Sequence, residues 1–259
     1  MTEEPSTPPR FRWTADLALA VVFLTRIPLR LSGPLAEDAH ARAMGWFPLV
    51  GAGVGLAGGA VYALTAALHL PPLPAALLVL GTLVWLTGGL HEDGAADVAD
   101  GFGGGRDKAR KLEIMRDSRV GSYGVLAIVF SIALRASALT ALAEPRAVLL
   151  ALAASGALSR GGMAVIARTM DPARADGLAA RQGRPVVATV ALSLALAGAV
   201  TLAALGPAAP VAVLVAALAG AAVAWQARRQ IGGHTGDVFG AAQQATEAAV
   251  LLALAALWS

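Results

Sequence analysis

Apolar runs and short polar connections alternate along the whole chain. Between Arg42 and Glu92 there is no Asp, Glu, Lys or Arg, and the same holds between Arg184 and Arg228. One bilayer crossing takes about 20 residues, so each uncharged stretch accommodates two. Hydropathy predicts spanning helices near 43–68, 73–90, 122–142, 147–167, 186–205, 208–227 and 241–258. A weaker run from Trp13 to Leu24 contains Asp16 and stops at Arg26 and Pro28. It fits a tilted or interfacial helix as well as a crossing. The expected fold is all-α: a polytopic integral membrane bundle of seven helices, or eight if the first run crosses. It forms a single domain over 13–259, behind a disordered tail at 1–12.

The basic residues orient the bundle. Segments 26–42, 91–121, 168–184 and 228–240 hold 3, 6, 4 and 2 of the 20 Lys and Arg, whereas the intervening turns at 69–74, 143–146 and 206–210 hold only Arg146. The positive-inside rule places the polar loops, and with them any active site, on the cytoplasmic face of the membrane, with the tight turns outside. The glycines of the 43–68 span include Gly55-x-x-x-Gly59, a groove that suits close helix packing.

Composition agrees and removes several classes. The chain is 57% hydrophobic and 14% charged, with mean hydropathy +0.66, against about 25% charged residues in an ordinary soluble domain. The net charge of +3 is dispersed in short clusters between spans, which is no nucleic-acid signature. With no cysteine, disulfides, iron–sulfur clusters, thiolate zinc sites and cysteine nucleophiles are all excluded. The first 13 residues carry Glu3, Glu4 and three prolines, unlike a cleavable signal peptide.

The chemistry concentrates between His91 and Gly124. Asp93, Asp97 and Asp100 are spaced i, i+4, i+7, which puts three carboxylates on one helical face and turns Glu92 elsewhere. Like charges at a membrane boundary need compensation, by arginine or by a divalent cation. Carboxylates without histidine pairs or cysteine suit Mg2+, or Mn2+. The glycine-rich segment that follows carries Arg106, Lys108, Arg110, Lys111, Arg116 and Arg119, which can meet phosphate oxygens. Metal plus basic loop suggests phosphoryl transfer. A solvated helix with internal ion pairs is the competing reading for Arg106 to Arg119.

Other polar residues converge on the same end. Gly233-His234-Thr235-Gly236-Asp237 reads as a ligand-approaching loop or as a plain helix cap. Arg135 and Arg160 lie within or near apolar spans, where a charge faces a cavity or a partner. His91 is the alternative to an aspartate as general base. Acidic residues at a bundle mouth also occur in cation transporters, but here they crowd one edge and the opposite turns are short.

The run His91-Glu92-Asp93-Gly94-x-x-Asp97-x-x-Asp100-Gly101, followed by Leu112-Glu113-Ile114-Met115-Arg116-Asp117-Ser118-Arg119-Val120-Gly121, resembles the cobalamin synthases, the adenosylcobinamide-GDP ribazoletransferases. Phe23-Leu24-Thr25-Arg26-Ile27-Pro28, Ser159-Arg160, Ala175-Asp176-Gly177-Leu178 and Gly233-His234-Thr235-Gly236-Asp237 agree, so the resemblance covers nearly the whole chain. Ala95, where the family more often has leucine, and a diverged 173–177 segment depart from it.

The resemblance implies an inner-membrane enzyme that joins adenosylcobinamide-GDP to alpha-ribazole or its 5'-phosphate, releases GMP and requires Mg2+. Asp93, Asp97, Asp100 and Asp117 would hold the metal, and Asp97, Asp117 and His91 would serve catalysis. Arg106, Arg116, Arg119, Arg160, Thr235 and Asp237 would bind substrate. The corrinoid would approach along the membrane lipid or from another corrinoid-assembly enzyme. Asp97-x-x-Asp100-Gly101 also resembles the CDP-alcohol phosphatidyltransferases, but the Ala-Arg of that motif is replaced by Gly104-Gly105-Arg106. A phospholipid synthase is the alternative.

Overall fold

The computed structural model describes residues 13–31, 34–175, 177 and 182–258, and the named elements among them are all helices. The expected tail, and Asp176 and Leu178 of the middle motif, lie outside the described residues. In order, the helices are α1 (Trp13–Leu24), α2 (Ala39–Ala43), α3 (Phe47–Ala67), α4 (Pro72–Thr87), α5 (Leu90–Gly104), α6 (Lys108–Ile114), α7 (Ser122–Leu142), α8 (Pro145–Thr169), α9 (Val187–Leu205), α10 (Ala209–Ile231) and α11 (Gly236–Trp258). Proline in the first turn starts α3, α4, α8 and α10, where its missing N–H costs no helical bond.

Five helical stretches are long and apolar enough to cross a membrane, or six if the bent pair α4–α5 counts as one. The difference from the seven expected spans has two local causes. Only the 3-10 turn Gly206–Ala208 separates α9 from α10, so Val187–Ile231 reads as one stretch although both limbs line a single cavity against α8. The second is the bend of 91° between α4 and α5. There Gly88 and Gly89 adopt φ of +70° and +72°, a region that side chains disfavour. Arg26 packs against this bend, its backbone N–H donating to the Leu86 carbonyl at 2.7 Å.

The glycine groove of α3 receives α8. A Cβ at Gly51 would lie 2.1 Å from the Gly156 carbonyl oxygen, and one at Gly55 2.2 Å from that of Leu152, so these backbones touch. Around this pair one apolar cluster joins Tyr62, Val79, Leu139, Leu152 and Leu251 at one end of the bundle, and a second joins Leu24, Met44, Phe47, Met163, Ile231 and Phe239 at the other. Outward-facing Leu64, Trp85, Phe130, Leu202 and Leu218 remain exposed, as expected for side chains that meet lipid. At the short first helix, buried Asp16 pairs through both oxygens with Arg42, tying α1 to α2.

Candidate active site

The acidic helix α5 lies against the start of α11 because glycine stands at both sides of the crossing. A Cβ on Gly94 would sit 2.9 Å from the Asp237 carbonyl oxygen, and one on Gly240 2.9 Å from that of His91. This approach brings Asp237 to the face of α5 that carries Asp93 and Asp97. His91, Asp93, Arg174 and Asp237 line a cavity of about 100 Å³ at the crossing. On the far side of Asp93 an open cleft of about 580 Å³ is lined by Arg26, Glu92 and the Gly88–Gly89 bend.

Asp97 is half-buried and lies within electrostatic reach of Asp237, Asp93 and Asp100, with Arg174 the opposing cation. Arg174 approaches Asp237 at 3.7 Å, while among the described residues its buried Nε and Nη1 have no hydrogen-bond partner. A guanidinium with spare donors beside clustered carboxylates is suited to an anionic ligand. Sequence reasoning missed Arg174 because it is one of four cations in the 168–184 loop. A backbone pairing selects it: His234 N–H donates to the Asp171 carbonyl and Ala173 N–H to that of His234, at 3.0 and 2.8 Å. His234 packs on Phe239 with ring centroids 4.9 Å apart, and burial pushes its imidazole down to about 4, so it is neutral at pH 7.

Two expected metal ligands are otherwise engaged. Asp100 is buried, and its carboxylate accepts from the backbone N–H groups of Gly121 and Gly124 at 2.7 and 2.9 Å. It therefore closes the N-terminus of α7, where the free N–H groups and helix dipole favour an anion. Asp100→Ala is expected to lower stability by about 1–2 kcal/mol, the scale of a lost N-terminal cap, read as a lower melting temperature in detergent. Asp117 sits at the surface, gripped by Arg119 through Nε and Nη2 at 3.1 and 2.7 Å. That guanidinium holds its carboxyl at about 2, which makes Asp117 a poor proton acceptor.

The substrate-binding set divides likewise. Arg106, before α6, and Arg116 and Arg119, after it, are exposed, whereas Arg160 is buried and donates to Glu247 at 3.4 Å. Glu247 also accepts from Arg135 at 3.0 Å, and Arg135 reaches Glu92 at 3.1 Å. Two acids and two bases thus neutralise one another beneath the site, with Gln243 and Gln244 bonded to the carboxylates. Arg160, expected as a phosphate clamp, lies in this network and lines neither the cavity nor the cleft. Glu247 was legible as the one acidic residue within its span. Thr235 is buried, donates to Asp237 at 3.1 Å and accepts from Val238 N–H at 3.4 Å, so it caps α11 and orients Asp237. His91 lines the cavity and is buried, its Nε2 without a hydrogen-bond partner among the described residues. Among the described residues no group of three or more His, Cys, Asp or Glu side chains is gathered closely enough to hold a metal ion.

This arrangement sits within a pattern shared along the chain. The family model for cobalamin-5-phosphate synthase matches residues 16–255. The chain belongs to the cobalamin-5-phosphate synthase family. It is 49% identical over 243 residues to the adenosylcobinamide-GDP ribazoletransferase of Bradyrhizobium diazoefficiens, covering 93% of this chain and 94% of the relative. The ribazoletransferases of Rhizobium johnstonii and Azorhizobium caulinodans are 42% and 45% identical, covering 94% and 93% of this chain and 97% and 95% of their own. No solved structure matches. Membership in the cobalamin-5-phosphate synthase family makes the chain a transferase of the last stage of cobalamin assembly, and the phospholipid-synthase and transporter readings fall away.

Proposed function

We propose that this membrane protein transfers the phospho-adenosylcobinamide group of adenosylcobinamide-GDP to alpha-ribazole or its 5'-phosphate, releasing GMP, at the cytoplasmic face of the inner membrane. The observation that carries the site is the facing of Asp93 and Asp97 on α5 with Asp237 on α11, under the spare donors of Arg174. In the transfer, a ribose hydroxyl oxygen bonds to the cobinamide-bearing phosphorus as the pyrophosphate P–O bond breaks and GMP leaves. Arg174 is placed for the charge that develops on the phosphate oxygens. The hydroxyl proton passes to a carboxylate of the Asp93–Asp97–Asp237 face, since His91 is buried beside Arg135 and Arg160. The open cleft beside Asp93 admits a bulky donor.

Hard carboxylate oxygens in excess over the local cations fit Mg2+ or Mn2+. Asp93, Asp97 and Asp237 stand too far apart in the structure to enclose an ion, so they would have to draw together around one that arrives with the pyrophosphate, in place of the set including Asp100 and Asp117. A bound Mg2+ would neutralise the pyrophosphate charge.

The test uses purified protein in lipid with adenosylcobinamide-GDP and alpha-ribazole, following GMP and the corrinoid product with and without Mg2+. Metal-dependent joining supports the proposal, whereas joining at full rate in excess chelator removes the metal from it. Arg174→Ala is expected to lower kcat/KM roughly 10²-fold, on the scale of losing one preorganised electrostatic contact. An unchanged kcat/KM would take Arg174 out of the site.

A further inference from the structure

A cavity of about 650 Å³ lies on the opposite side of α8 and α11 from the carboxylates, between α8, α9 and α10. Its wall on α10 is made of small residues, including Ala217, Gly220 and Ala224, and Gly198 of α9 and Gly162 of α8 face it where a Cβ would meet nothing within 4 Å. The lining on α10 runs from Val213 to Arg228, about 22 Å at 1.5 Å per residue, which exceeds one leaflet of a hydrocarbon core about 30 Å thick. Exposed Leu194 and Trp225 lie at its border on outward faces of the bundle, so the cavity communicates with lipid and not with the cleft.

The end near the loop-bearing face is basic. Arg228 lines it, and neighbouring Arg229 stacks over the Trp225 ring at 4.6 Å. Among the described residues neither arginine forms an ion pair with a carboxylate, and both are exposed. An indole with a stacked guanidinium at a helix end is the amphipathic arrangement that sits at the headgroup level. A long apolar slot reached from the bilayer and ending in two uncompensated cations is complementary to one ligand chemistry: an acyl chain attached to an anionic head.

We propose that this cavity is a specific site for one anionic phospholipid of the same leaflet, with an acyl chain along α10 and the head phosphate on Arg228 and Arg229. The site is separate from the transfer chemistry. It explains why α9 and α10 stand apart there, since an empty apolar void of this size would forfeit packing.

Native mass spectrometry of the full chain, released from nanodiscs of mixed phosphatidylglycerol and phosphatidylcholine, tests this. One retained phosphatidylglycerol per chain is expected, at least 10-fold enriched over phosphatidylcholine. Arg228→Gln with Arg229→Gln should remove that preference, and Gly198→Leu, which fills the slot, should lower retention of both lipids at least 5-fold. Circular dichroism verifies that each variant is folded. As a second reading, brominated phosphatidylglycerol should quench wild-type fluorescence more than that of Trp225→Phe. No retained lipid, equal retention in the folded variants, equal quenching, or displacement of the lipid by alpha-ribazole would each overturn the proposal.

Discussion

Asp97→Asn is expected to lower turnover by roughly 10²–10³-fold or more, the scale of removing one electrostatic group from a preorganised site, while the protein inserts and folds as before. The physical basis is the company Asp97 keeps. Its carboxylate is half-buried among Asp93, Asp100 and Asp237, with Arg174 the opposing cation, so in the absence of substrate its charge works against the fold. The amide has nearly the same shape and removes that repulsion. Thermal stability in detergent should therefore hold or rise as GMP release collapses, a separation expected where a site retains charge at a cost in stability. Retained Mg2+-dependent turnover in the variant would remove Asp97 from the proposed metal set. A fall in stability parallel to activity would assign it to the fold.

Glu247→Ala should do the reverse, destabilising the protein by roughly 3–5 kcal/mol, the cost of breaking a buried ion pair from one side. Glu247 is the central acid between Arg135 and Arg160, and its loss leaves two guanidiniums facing each other with only Glu92 to compensate them. Arg135 lies 13 residues into α7, about 20 Å along the helix axis, too deep for water to substitute easily for the lost partner. The measurement is the melting temperature of the purified protein, with Glu247→Gln as the milder comparison because its amide oxygen still accepts from one arginine. A melting temperature equal to wild type would mean that the network contributes nothing net. Because Glu92 precedes Asp93 directly, any surviving Glu247→Ala protein should also bind the donor more weakly.

Much of this architecture is legible along the chain because a bilayer imposes a one-dimensional rule. Backbone groups in hydrocarbon must be bonded within their own segment, so apolar length alone predicts a helix, and the placement of arginines between runs predicts which ends share a face. The Asp93–Asp97–Asp100 spacing likewise announces a common face of α5, since helical periodicity is local. The span count shows the limit of such reading: hydropathy does not sense a 91° turn at Gly88–Gly89, where two positive φ angles redirect an otherwise continuous apolar run into the acidic helix.

What each carboxylate does is not local. Asp97 and Asp100 look equivalent by type and spacing, yet the start of α7 lies beside Asp100 alone and takes both its oxygens. Asp117 stands in the same motif but is held by Arg119 two residues away. Arg160 looks like a phosphate clamp until Glu247, 87 residues distant, meets it inside the bundle. Arg174 is one cation among several until the pairing of His234 with residues 171–173 sets it over Asp237. The sequence by itself determined a helical membrane bundle with acidic chemistry gathered at one face, because hydropathy, charge asymmetry and helical period are properties of consecutive residues, while its motifs carried the resemblance to a transferase family. Which acids stay free for ligand, and which arginines oppose them, was decided only by tertiary structure, because burial and partnership belong to segments that meet across tens to over a hundred residues of chain.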